Sequence, residues 1–282
     1  MTITASKPIA ASARRRRIDP GLAVAIVLTA LFALAAIAPA LLATADPTAQ
    51  SFADALRPPS LAHWFGTDES GRDLYSRVIY GTRESLLIGI GAAGIALVAA
   101  LILGSLAALG DRFTSAIVSR GIEVVFAFPI LLLALLLVSI LGASAWTQVI
   151  AVGVSTAPGY ARMVRGQILA AKNAGYVEAA RALGHSRGRI LTQHVLPNAI
   201  RPLVAVFTMA IGQSIVWASG LAFLGLGVAP PSSEWGALLD AGRAYILQAP
   251  WLTFVPGLVI LVLALTATSL GKHIQNSFER GE

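Results

Sequence analysis

Six long runs of uncharged, mostly apolar residues punctuate the chain, near residues 21–43, 85–109, 122–142, 144–161, 203–226 and 251–271. An α-helix needs roughly 20 such residues to cross a hydrocarbon core about 30 Å thick, so each run is a candidate membrane span. Nearly all Asp, Glu, Lys and Arg residues fall between the runs, where water can solvate them; Glu123 is the exception, close to a predicted helix end. The pattern predicts an all-α, polytopic membrane protein with about six transmembrane helices.

The polar intervals give the domain organisation. A basic segment at 1–20 precedes the first span at 21–43, and a loop-like stretch at 44–84 leads into a five-helix core at 85–271. Within that core the longest polar interval is 162–201, and a short tail follows at 272–282. From Asp68 onward, Leu74, Val78 and Ile79 recur at helical spacing with Arg72, Asp73, Ser76 and Arg77 between them, predicting an amphipathic interfacial helix. In the second outer interval, Ser233 is a candidate cap for a short helix carrying Leu238, Leu239 and Tyr245.

Charge then orients the chain. With the N-terminus inside, 16 of the 21 Lys and Arg residues lie in cytoplasmic segments and 5 in outer ones. Positive residues accumulate in short cytoplasmic loops, so both termini and the 162–201 loop are expected in the cytoplasm. Arg14 to Arg17 could open a secretory signal, but a following run of 23 residues without a small-residue cleavage site favours a retained anchor. The net charge of +7 is thus topogenic and does not imply nucleic acid.

Composition narrows the chemistry. The chain is 56% hydrophobic and 12% charged, far from soluble averages, so membrane lipid is its main solvent. It has no cysteine, which excludes disulfides and thiolate chemistry. No glycine-rich loop ends in Gly-Lys-Ser or Gly-Lys-Thr, so no ATP-binding motif is present and energy must come from a partner. His63, His185, His194 and His273 are scattered over loops and tail without zinc-site spacing. The spans carry almost no ionisable groups, which argues against an ion-coupled secondary transporter. Gly89, Gly91 and Gly94 formally spell a dinucleotide fingerprint, but inside an apolar span they read as close helix packing, extended by Gly104 and Ser105.

The 162–201 interval carries the most specific pattern. Tyr176, Ala179, Ala180 and Leu183 share one face of a short helix, and Gly184 suits the left-handed residue that ends it. Ser186 can cap a second helix whose apolar face holds Ile190, Leu191, His194 and Val195, with Pro197 ending the pattern. Two small apolar faces with basic rims predict a docking knob for a cytoplasmic protein.

Glu178-Ala179-Ala180, Gly184 and His194-Val195-Leu196-Pro197 resemble, in residues and spacing, the EAA loop of ATP-binding-cassette (ABC) importer permeases. Phe65-Gly66-Thr67-Asp68, Gly71-Arg72-Asp73, Ser76-Arg77 and Gly81-Thr82-Arg83-Glu84-Ser85-Leu86 resemble the C-type permease of dipeptide, oligopeptide and nickel importers. So do Phe223-Leu224-Gly225-Leu226-Gly227, Pro230-Pro231 and Trp235-Gly236, whereas the tail from Gly271 to Asn276 departs from that subfamily. The resemblance implies a type I ABC importer permease (MetI-like) fold in a bacterial or archaeal cytoplasmic membrane. It implies a second homologous permease, two ATPase subunits that bind ATP and magnesium, and an external solute-binding protein. This chain itself would bind no cofactor. The ATPase-coupling residues would be Tyr176, Glu178, Ala179, Ala180, Leu183, Gly184, His194, Leu196 and Pro197. Gly184→Asp is expected to uncouple transport through added bulk and buried charge. Short peptides are the cargo the resemblance favours, with nickel or another small solute as the alternative.

Overall fold

The structure is a computed structural model that describes residues 20–280; the arginines at 14–17 lie outside the described residues. Helices follow in the order α1 (Pro20–Ile37), α2 (Leu74–Leu109), α3 (Arg112–Phe126), α4 (Ile130–Leu141), α5 (Ala145–Lys172) and α6 (Gly175–Ala182). After α6 come α7 (Arg187–Ile190), a π turn (Leu191–Val195), α8 (Leu196–Ile200) and α9 (Leu203–Leu221). A second widened turn (Ala222–Leu226), α10 (Trp235–Arg243) and α11 (Trp251–Arg280) complete the fold. The only β pairing among the described residues is a bridge between Thr67 and Asp73.

Four helical runs are both long and apolar enough to span a bilayer: α1, α2, the 40-residue run Arg187–Leu226, and α11. The two remaining runs behave differently. Residues 122–142 do not form one straight span, because α3 and α4 meet at 90°. Pro129 lacks an N–H and disfavours helical backbone at the residue before it, so the helix stops at Phe126 and restarts at Ile130. The 12 residues of α4 reach only about 18 Å, too short to span alone. α5 has 28 residues, about 42 Å, but carries Gln148, Ser155, Arg162 and Arg165 and is sheltered by protein on one side.

α2 is the axis of the bundle. Asp73 starts it by accepting a hydrogen bond from the Ser76 N–H at 2.8 Å. Residues 74–84 are therefore the first turns of a 36-residue helix rather than a separate interfacial helix, and Leu74 and Val78 are buried. Further along, Ala92, Ala96, Ala100, Gly104 and Ala108 are buried at four-residue intervals. This small-residue stripe lets α5 approach closely: a Cβ on Gly104 would lie 2.8 Å from the Ala161 carbonyl oxygen. Leu87, Val98 and Ile102 on α2, like Leu258 and Leu265 on α11, are exposed, as lipid-facing side chains should be.

The end of the bundle where α2 begins is held by polar contacts. Asp68 accepts from Arg72 Nε at 2.7 Å and from Arg77 at 2.6 Å, and Arg77 also donates to the Ser232 carbonyl at 2.9 Å. Trp235 is fully buried and its indole N–H donates to the Val78 carbonyl at 3.0 Å. The cap of α10 is Glu234 rather than Ser233, accepting from the N–H groups of Gly236 and Ala237 at 2.9 and 2.8 Å. Ser serves caps well in water, but here two converging N–H groups need both oxygens of a carboxylate.

Candidate coupling site

The coupling loop begins as a continuation of the membrane helix. α5 runs on to Lys172, and Asn173 ends it by donating to the carbonyls of Leu169 and Ala170. Pro158 lies inside α5 without stopping it. α6 follows after a single extended residue, Ala174, whose carbonyl accepts the Val177 N–H at 2.9 Å.

The end of α6 is fixed by backbone chemistry. Gly184 has φ +78°, its N–H donates to the Arg181 carbonyl at 3.0 Å, and the His185 N–H donates to the Ala180 carbonyl at 3.1 Å. These two bonds make a Schellman motif, with Gly184 in the left-handed position where a side chain is strained. A Cβ at Gly184 would meet nothing within 4 Å. Bulk and buried charge are therefore not what an Asp would add inside this chain; the constraint is φ. Ser186 then caps the next helix, its Oγ accepting from the Arg189 N–H at 3.3 Å.

Pro197 does not end the second helix. α7, the π turn, α8 and α9 form one helical run of 40 residues, with Pro197 in its interior. The widened turn, in which the Leu196 N–H reaches the Leu191 carbonyl, comes immediately before the proline. A proline ring crowds the carbonyl four residues back, and a π turn opens the helix at that place. The knob is thereby continuous with α9 on one side and, through one extended residue, with α5 on the other.

The faces of α6 divide differently from the sequence expectation. Val177 (0% exposed) and Ala180 (4%) turn inward and join the cluster formed by Ile168, Ile190 and Val195. Tyr176 (42%), Leu183 (77%), Glu178 and Ala179 turn outward, and Gly184 is exposed beside them. Ala180 thus leaves the face assigned to it, because Val177 draws that side of the helix onto the core. His194, Leu196 and Pro197 are half-buried in the run toward α9 and do not share the outward face. The rings of His185 and His194 stack with centroids 5.8 Å apart. Among the described residues neither Glu178 nor Arg181 makes an ion pair, although their spacing would permit one. The sequence reading missed Val177, the apolar anchor whose signal was its position a quarter turn from Tyr176.

A bundle of membrane-length apolar helices with an exposed amphipathic knob at its polar end is the architecture of a polytopic membrane protein. The comparisons agree and are specific: the chain belongs to the family described as the binding-protein-dependent transport system inner membrane component, which matches residues 76–280. It is accordingly the permease component of an ABC transporter. Relatives include the dipeptide transport system permease protein DppC of Alkalihalophilus pseudofirmus, 35% identical over 90% of this chain and 83% of the relative. The probable D,D-dipeptide transport system permease protein DdpC of Escherichia coli is 39% identical over 83% of this chain and 79% of its own length. The glutathione transport system permease protein GsiD of Pectobacterium atrosepticum is 39% identical over 78% and 73%. In fold, the chain resembles an amino acid ABC transporter with histidines (TM-score 0.60, 18% identity, 71% of this chain and 94% of that one). It also resembles the inward-facing MetNI methionine ABC transporter (TM-score 0.59, 20% identity, 71% and 95%).

Proposed function

We propose that this chain forms half of the translocation pore of an importer that moves short peptides inward, driven by ATP hydrolysis on partner subunits. The outward face of α6 carries the reading: Tyr176, Ala179 and Leu183 are apolar and uncovered while Val177 and Ala180 anchor the same helix to the membrane domain. A helix held from behind and bare in front suits insertion into the cleft of an ATPase subunit, and Glu178 on that face makes no ion pair among the described residues. The occupant would be one of two ATPase subunits that bind ATP and magnesium, the other engaging a second, homologous permease. An external solute-binding protein would deliver cargo, and both termini would be cytoplasmic.

Coupling follows from how the knob is attached. ATP shifts a permease between two states only through contacts that differ between them, so force on α6 must reach the helices. Here α6 is joined across the Gly184 bend to α7, which runs on through the π turn into α9, and is linked to α5 through Asn173 and Ala174. Peptide cargo is supported by the relatives' names for dipeptide, D,D-dipeptide and glutathione systems. The test is ATP-dependent uptake of a labelled dipeptide by the reconstituted complex, with and without this chain, with oligopeptide and nickel as competitors. Uptake that requires the chain and is competed by peptides is expected. Uptake of nickel alone would overturn the cargo, and assembly without the ATPase subunits would overturn the coupling assignment.

A further inference from the structure

Behind the docking helix lies a cavity of about 750 Å³ that the coupling function does not use. Its apolar lining comes from Leu109 at the polar end of α2, Val177 of α6, and Ile190 and Val195 beyond the knob's bend. The polar lining is entirely basic: Lys172 at the end of α5, Arg181, His185 and Arg187. Among the described residues, Lys172, Arg181 and Arg187 make no ion pair, and the buried Nδ1 of His185 has no hydrogen-bond partner.

Three cations around one cavity repel one another unless an anion joins them, and the apolar lining asks for hydrocarbon. Leu109 ends the apolar stretch of α2, which places the opening at the polar margin of the bundle, with Lys172 reaching it from the polar end of α5. Basic pockets at the cytoplasmic ends of membrane helices recognise anionic headgroups, each Lys or Arg adding roughly fivefold in affinity. We infer that this cavity binds the phosphate headgroup of an anionic phospholipid, seated between the coupling helix and the ends of α2 and α5. The inference rests on the cytoplasmic placement of the coupling loop. Its consequence is that the lipid would be a structural part of the seat from which α6 meets the ATPase.

The test uses the complete transporter, extracted from vesicles of phosphatidylcholine with phosphatidylglycerol, and native mass spectrometry of the retained lipid. The wild type is expected to keep phosphatidylglycerol, and Lys172→Gln with Arg187→Gln to lower its retention by about thirtyfold. The charge-preserving pair Lys172→Arg and Arg187→Lys should retain it, which separates lost charge from lost folding. ATPase subunits should stay bound in all three forms. Unchanged lipid retention in the Gln variant would overturn the inference, as would displacement of the lipid by millimolar inorganic phosphate, which would make the ligand a free anion. Loss of the ATPase subunits from the Gln variant with lipid retained would assign the basic rim to a protein partner instead. Absence of ATPase subunits from the wild type would indict the coupling assignment rather than the lipid site.

Discussion

Arg77 and Asp68 meet at 2.6 Å with side chains only 4% and 2% exposed, and the same carboxylate also holds Arg72. Removing one partner from a buried ion pair leaves an uncompensated charge, at a cost of about 3–5 kcal/mol. Asp68→Ala should therefore lower the thermal midpoint of the purified protein sharply, since two buried arginines lose the carboxylate they share, leaving Arg72 only Glu69 and Arg77 only the Ser232 carbonyl. Arg57→Ala is the control, because its pair with Asp54 is exposed and worth under about 1 kcal/mol. Equal melting of the two variants would show that the Asp68 network does not hold this end of the bundle together.

Gly184 offers a cleaner test of coupling geometry than the charge change to Asp. A β-branched residue resists the left-handed conformation by roughly 1–2 kcal/mol, whereas Asn adopts it more readily. Gly184→Val should disturb the bend after α6 and reduce ATP-dependent uptake several-fold, while Gly184→Asn should keep most of it. The space around the position is open within this chain, so equal loss in both would point to a crowded contact with the ATPase instead.

The two faces of α6 predict opposite phenotypes. Tyr176→Ala with Leu183→Ala removes exposed surface and should leave melting unchanged while weakening ATPase association by ten- to a hundredfold, the range for paired interface anchors. Val177→Ala removes the buried apolar contacts that hold α6 on the core and should destabilise the permease itself by roughly 1.5–3 kcal/mol. Co-purification and thermal melting, measured on both variants, separate the cases.

Burial pushes the Glu234 carboxyl up from its ordinary 4.5, and nearby Glu84 adds to the rise, against the Gly236 and Ala237 N–H groups that favour the charged form. An acid whose folded value exceeds its unfolded one binds more protons when folded, so stability is greatest below about pH 4.5 and falls as pH rises toward the folded value. Glu234→Gln removes that titration. Its melting temperature should change less than the wild type's between pH 4.5 and 8, and parallel curves would show that Glu234 does not set the slope.

How far the sequence could be read follows the range of the interactions involved. The bend at Gly184 and the cap at Ser186 were legible because they depend on neighbours within a few residues. The split of 122–142 was not, since Pro158 and Pro256 lie inside intact helices and Pro129 ends one. Only packing around each proline tells the cases apart. Likewise Arg72 and Arg77 read as the wet side of an interfacial helix, because the carboxylate of Asp68 and the Ser232 carbonyl, 155 residues beyond Arg77, are what bury them. The exposed face of α6 was legible in outline, and Ala180 was misplaced because the inward pull of Val177 comes from helices distant in the chain.

The seam between α2 and α5 has mechanical character of its own. Ala92, Ala96, Ala100 and Ala108 have no χ angle to reset, and Gly104 has no side chain at all. On its own side of the seam α2 thus has few rotamers to reset, and the branched Val164 of α5 packs directly against Gly104. The end of the bundle away from α6 is pinned by Asp68 and Trp235, so displacement entering at Lys172 would be absorbed as a tilt, with its fulcrum at that pinned end and its widest sweep at the end that carries α6.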